Sequence, residues 1–157
     1  MFVTINGKRK EIRGSKSPEE HAKSVFEQIV FPANPESIAI VAHSYGGIVT
    51  LSLARNFRQY FPKKVFGVAF TDSVHFVPRG EEEIMSFLKK IGKNFVSSNE
   101  PVNVKISVTE NDIPCYSAGH TKHEWTSYSC KDALFEFLEE KYDEFISENY
   151  SKKPRLE

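Results

Sequence analysis

The stretch Ile38-Ala39-Ile40-Val41-Ala42-His43-Ser44-Tyr45-Gly46-Gly47 constrains this chain more than any other. Five apolar residues in a row have strand length, too few for a buried helix. They run into a turn with a serine at its centre, and Ile48, Val49, Leu51, Leu53 and Phe57 then spread apolar groups over most of a helix. A buried strand that passes directly into a buried helix belongs to a layered α/β sheet. The turn itself, Ala42-His43-Ser44-Tyr45-Gly46, has the small-x-Ser-x-Gly form. Small residues are needed on either side of the serine because so sharp a turn brings positions two apart into the neighbouring elements.

This arrangement is the nucleophile elbow of an α/β-hydrolase, and it predicts specific chemistry. The Ser44 hydroxyl stands above the sheet at a helix N-terminus, the Tyr45 N–H becomes an oxyanion donor, and Gly47 permits close helix packing. A serine of this kind needs a histidine base, and the base an orienting carboxylate. Two histidines follow the last candidate strand, His120 and His123, and either reaches Ser44 from that loop. The acid is Asp72, directly after the apolar run Val65–Phe70, or Asp112. Asp112 takes the acid position if Val102–Val108 is the sheet strand. Asp72 takes it if Ile113–Ala118 is. His43 reads as a strand-end residue beside the elbow, His75 as a loop residue near Asp72, and Trp125 as a lid over the core.

The rest of the chain fits the same class. Phe2–Ile5 and Lys8–Ile12 flank Asn6-Gly7 and predict a weak hairpin or loose arm, residues 1–13, with a very basic second strand. Ser17-Pro18-Glu19-Glu20 opens a helix that should run to about Val30 and be broken by Phe31-Pro32-Ala33-Asn34-Pro35. Val65–Phe70 is apolar on both faces, as in a parallel sheet covered on both sides. Glu81–Ile91 and Lys131–Ile146 are amphipathic helices, the second with Leu134, Phe135, Phe137, Leu138, Phe145 and Ile146 inward. The reading is α/β: a partial α/β-hydrolase-like fold, its mostly parallel sheet carrying helices on both faces, in one domain over 1–157. The tail 151–157 reads as disordered and Leu156-Glu157 as a cloning scar.

Charge narrows the function further. With 21 Lys and Arg against 21 Asp and Glu, no net field draws in nucleic acid or an anionic membrane. No signal peptide or spanning segment is legible, so the chain reads as intracellular. Cys115 and Cys130 then read as free thiols, and the sequon Asn149-Tyr150-Ser151 as unglycosylated. Cys115, His120, His123 and Cys130 fall at a C-x4-H-x2-H-x6-C spacing that matches no standard zinc finger, so neither a metal nor another cofactor is expected.

Five blocks in order resemble one family: Ser17–Ala22, Ala42–Gly47, Thr71–His75, Asn94–Pro101 and Ser117–Ser127. The chain is similar, over about Gly14 to Leu138, to the Arb-two-type domain family. That family comprises the Argonaute-binding protein of fission yeast and its metazoan cotranscriptional-regulator homologues. The resemblance implies a role in RNA silencing, chromatin and splicing regulation, in the nucleus or cytoplasm, through Argonaute and chromatin or splicing proteins. It matches the nucleophile to Ser44, the Asp-Ser-x-His block to Asp72–His75, and a His-Glu pair to His123-Glu124, favouring His123 over His120. In the family a longer region precedes the Ser17–Ala22 helix and should supply the early strands and the second oxyanion donor. Here residues 1–16 precede it. The chain therefore reads as a fragment or a reduced relative, expected to lose on the order of 10² to 10³ in rate. Two functions follow: a Ser-His-Asp hydrolase of a small acyl or ester substrate, or a weak or inactive scaffold for those protein partners. An incomplete sheet with an open edge would also favour pairing with a second copy.

Overall fold

The computed structural model describes residues 2–74, 80–107 and 112–150. His75, Val108 and the tail 151–157 lie outside the described residues. At the start, β1 (Phe2–Ile5) and β2 (Lys8–Glu11) pair antiparallel from Phe2 opposite Glu11 to Ile5 opposite Lys8. Asn6 and Gly7 turn the chain with φ of 50° and 71°, the two positive angles such a tight hairpin needs. Every residue of both strands is exposed, and the pair forms a sheet of its own.

Helix α1 (Pro18–Val25) begins as its cap predicts. The Ser17 hydroxyl accepts from the Glu20 N–H at 3.2 Å, and the Glu20 carboxylate accepts from the Lys16 N–H at 3.0 Å. The helical path runs on to Ala33 rather than Val30 and ends at Asn34, within the expected breaking stretch. A π-helical turn (Phe26–Val30) carries the chain into α2 (Phe31–Ala33), which stops at Asn34 with φ 42°. Pro32 has no N–H and its ring crowds the carbonyl four residues back. The helix accommodates it by widening, and the Phe31 N–H reaches the Phe26 carbonyl five residues behind.

The main sheet is built from β3 (Ile38–His43), β4 (Val65–Thr71), β5 (Gly92–Val96), β6 (Lys105–Ile106) and β7 (Cys115–Ser117). Its order is β3-β4-β5-β7-β6, with the first four parallel and β6 antiparallel at the rim. Between the strands lie α3 (Gly46–Asn56), α4 (Phe61–Lys64) and α5 (Glu82–Ile91), and after them a 3-10 turn (His123–Trp125), α6 (Thr126–Ser129) and α7 (Lys131–Tyr150). Both ambiguous stretches thus enter the sheet. Cys115–Ser117 is an inner parallel strand, and of the alternating run Lys105–Ile106 forms the rim strand beside it among the described residues. Gly92–Val96 is a strand that the sequence pattern did not indicate.

Two apolar clusters sandwich the sheet. Leu51, Phe61, Val65, Val68, Phe70 and Leu88 pack with α1, α3 and α5 on one face; Ala69, Phe95, Leu134, Phe137 and Leu138 pack under α7 on the other. β4 sits between them and is buried on both faces, as its composition predicts. Its neighbour β3 departs from that pattern, since Ala39 and His43 are exposed and Val41 is 54% exposed. The reason is that α7 crosses β4: a Cβ on Gly67 would stand 2.9 Å from Leu138 Cδ2. Two inward expectations fail here. Phe135 is 61% exposed because it lies off the Leu134–Leu138 face, and Trp125 is 49% exposed on its short turn and does not lid the core. Cys115 and Cys130 are buried free thiols. No helix among the described residues is long and apolar enough to cross a membrane.

Candidate functional site

The turn after β3 places Ser44 in the left-handed region, φ 53°. For a residue with a Cβ this costs roughly 1–2 kcal/mol, so something must hold it. The Ser44 N–H donates to the Thr71 carbonyl at 3.1 Å, tying the turn to the end of β4. The Ser44 carbonyl accepts from the Val74 N–H at 3.1 Å, the Ser73 hydroxyl at 2.9 Å and the Gly47 N–H at 3.3 Å. Space is equally restricted. A Cβ at Gly47 would stand 2.3 Å from the Val74 carbonyl oxygen and 2.2 Å from Ser73 Oγ, whereas one at Gly46 would only touch Ala42 at 3.4 Å. Tyr45 caps α3, and its backbone N–H has no acceptor among the described residues. Its hydroxyl donates to the Glu19 carboxylate, linking the turn to α1 and holding Glu19 below the ordinary carboxylate range.

Asp72 occupies the corresponding position after β4, with φ 43° and its N–H bonded to the Phe95 carbonyl at 2.7 Å. One carboxylate oxygen accepts from the Ser97 N–H and hydroxyl at 3.1 and 3.2 Å, and the other from His123 Nδ1 at 2.7 Å. Burial pushes the Asp72 carboxyl upward, but the hydrogen bonds from His123 and Ser97 outweigh it and hold the pKa below the ordinary value. Because Nδ1 donates to a carboxylate, a neutral His123 keeps Nε2 as an acceptor. Neither that nitrogen nor the Ser44 hydroxyl makes a hydrogen bond among the described residues. The His123 ring lies 4.5 Å from the ring of His43, the residue before Ser44. In the segment leading to His123, Gly119 has φ 69° and lies against Val102, whose Cγ2 a Cβ at this position would meet at 2.3 Å.

The other candidates are placed apart from this group. His120 accepts the Lys122 N–H at 3.0 Å and stacks on Trp125 at 5.9 Å, so local contacts occupy it. Asp112 precedes β7, at the opposite end of a strand parallel to β4. His43 donates from Nδ1 to the Thr71 carbonyl at 3.0 Å, and the Thr71 hydroxyl continues to Ser127 at 2.7 Å. Among the described residues no three His, Cys, Asp or Glu side chains gather to hold a metal.

Sequence reasoning overlooks one member of the site. Asn94, 3% exposed on β5, accepts from the Ser73 N–H at 3.3 Å and donates to the Ser73 carbonyl at 3.2 Å. Ser73 in turn holds the Ser44 carbonyl, so the buried amide fixes the Ser44 turn from two strands away. Asn94 opens the Asn94–Pro101 block of the family resemblance, but nothing in that segment, an amide beside the apolar pair Phe95-Val96 without strand-like alternation, assigns it a role.

The Arb2 domain matches residues 3–102 of this chain. The mouse protein named cotranscriptional regulator ARB2A is 36% identical over 147 residues, covering 92% of this chain and 34% of the relative. The human protein of that name is 37% identical over 131 residues, 82% of this chain and 32% of the relative. A Dictyostelium discoideum homolog is 32% identical over 131 residues, with shares of 81% and 34%. The chain thus spans about a third of the length of the curated relatives it matches. No solved structure matches it.

Proposed function

The chain belongs to the Arb2 domain family, and we propose on that basis that it serves as a regulatory binding domain in transcription-coupled RNA or chromatin control, built on an α/β-hydrolase-like framework. One observation carries this: 36% identity, over nine-tenths of the chain, to proteins named cotranscriptional regulators. The partners are proteins of the silencing, chromatin or splicing machinery, and the place of action is the nucleus. In this reading the hydrogen-bonded turns at Ser44 and Asp72 form a rigid rim. Capture from nuclear extract tests it, with wild type and Ser44→Ala expected to retain the same transcription-associated proteins. Retention of none of them by wild type would remove the proposal.

A second reading rests on the 2.7 Å contact between Asp72 and His123 beside a left-handed Ser44. That geometry favours acyl hydrolysis of an ester. Ser44 attacks the carbonyl, His123 Nε2 takes its proton and returns it to the leaving alcohol, and Asp72 holds the imidazole. The Tyr45 N–H stabilises the oxyanion, water releases the acyl group in a second cycle, and no cofactor takes part. A fluorophosphonate probe should label wild type and leave Ser44→Ala unlabelled; equal signals from both would dispose of the catalytic reading.

A further inference from the structure

The sheet has two edges of different character. β6 is two residues long, begins with Lys105 and follows Pro101, features that discourage pairing with another strand. β3 has six residues, none of them acidic, Lys, Arg or Pro, and among the described residues β4 alone pairs with it. Its outer backbone groups have no strand partner among the described residues, and its Ala39 and Val41 side chains are exposed on the α7 side.

Helix α7 turns a matching flank towards that edge. Phe137 lies on the β5 side, 5.5 Å from Lys93 Nζ, and Leu138 lies over Gly67 of β4. At about 100° per residue, Phe135, Glu139 and Tyr142 therefore fall on the side towards β3, with Asp143 one turn beyond Glu139 on the solvent side. Phe135 and Tyr142 are exposed, and Glu139 and Asp143 have no ion-pair partner among the described residues. The edge is thus an apolar trough with an acidic outer wall.

The β1–β2 hairpin carries the complement. The register puts Val3 opposite Lys10 and Ile5 opposite Lys8, so these four share one face, apolar along β1 and cationic along β2. Phe2 and Arg9 occupy the other face, where the guanidinium carbon sits 3.9 Å from the ring centroid. Residues 8–16 hold five basic side chains and one acidic, whereas α7 holds seven acidic and two basic. A neutral chain has placed opposite charges on two exposed elements.

We propose that the hairpin of a second copy of this chain lies along β3, with Val3 and Ile5 over Val41 and against Phe135 and Tyr142, and Lys8 and Lys10 facing Glu139 and Asp143. The exchange is reciprocal about a two-fold axis, so assembly stops at a dimer. It is independent of whether Ser44 reacts. Sedimentation of the full chain should show a dimer that dissociates as salt is raised. The double variant K8E/K10E and the double variant E139K/D143K should each be monomeric while keeping the wild-type circular dichroism. Mixed in equal amounts, they should recover dimers, because a reversed hairpin meets a reversed helix at one of the two contacts. A wild-type monomer at every accessible concentration overturns the proposal. So does a mixture that stays monomeric, as it would if each hairpin folded onto its own β3.

Discussion

The middle of β4 and the turns at the carboxyl ends of β3 and β4 are held by opposite means. Val68, Ala69 and Phe70 are wholly buried and sit between two layers of helix, so their contribution comes from excluded water and close packing. A few residues further on, Ser44 and Asp72 are in conformations that L residues avoid; their N–H groups donate to the Thr71 and Phe95 carbonyls, and donors on Ser73, Val74 and Ser97 complete the hold. The middle supplies the stability that the rim uses. Relieving the backbone strain at Ser44 should therefore stabilise the fold, whereas loosening the packed middle should destabilise it, as where a site retains strain for chemistry or recognition.

The largest effect should come from the middle. Phe70→Ala is expected to cost about 3–5 kcal/mol in urea unfolding, the usual loss for a large core aromatic. Gly47→Ala comes next, at about 1–3 kcal/mol, because its Cβ would collide with backbone that cannot rotate away. A cost for this glycine above that for Phe70 would reverse the comparison and make the rim the mainstay of the fold. Ser44→Gly should do the contrary and raise stability by roughly 1 kcal/mol, since glycine adopts the left-handed region freely. Loss of stability in that variant would show that the Ser44 side chain has a structural contact outweighing its strain. The smallest effect is in acid. Asp72 is held below its ordinary pKa, so its contribution is complete above the usual aspartate range and is lost as pH falls through the folded value. Comparing wild type with Asp72→Asn by unfolding at stepped pH should show the difference shrinking below about pH 4.

What the sequence reveals about this molecule divides along the same line. The hairpin at Asn6-Gly7, the cap at Ser17 and the turn at Ser44 are legible because each is decided within a few residues by backbone angles and local hydrogen bonds. β5 is not legible, since Gly92-Lys93-Asn94 has a loop's composition and becomes a strand only by lying between β4 and β7. The unequal fates of β6 and β7 depend likewise on partners far away in the chain. Phe135 is misplaced for a related reason: periodicity locates the apolar stripe of α7 but not the width of sheet available to cover it. At the rim, sequence order and turn chemistry narrow the choice to Ser44, two aspartates, Asp72 and Asp112, and two histidines. Contacts of His120 with Lys122 and Trp125, and of His123 with Asp72, separate the histidines in space.

The two thiols have a practical meaning. Cys115 and Cys130 are both buried, and burial pushes Cys130 up to about 11 and Cys115 above its ordinary value. At neutral pH almost none of either is thiolate, the form that maleimides and disulfide reagents attack. A cysteine introduced on the surface, for example in place of Val41 or Lys8, would therefore react alone. The native chain is already a quiet background for spin labels or fluorophores that could report distances between one hairpin and another.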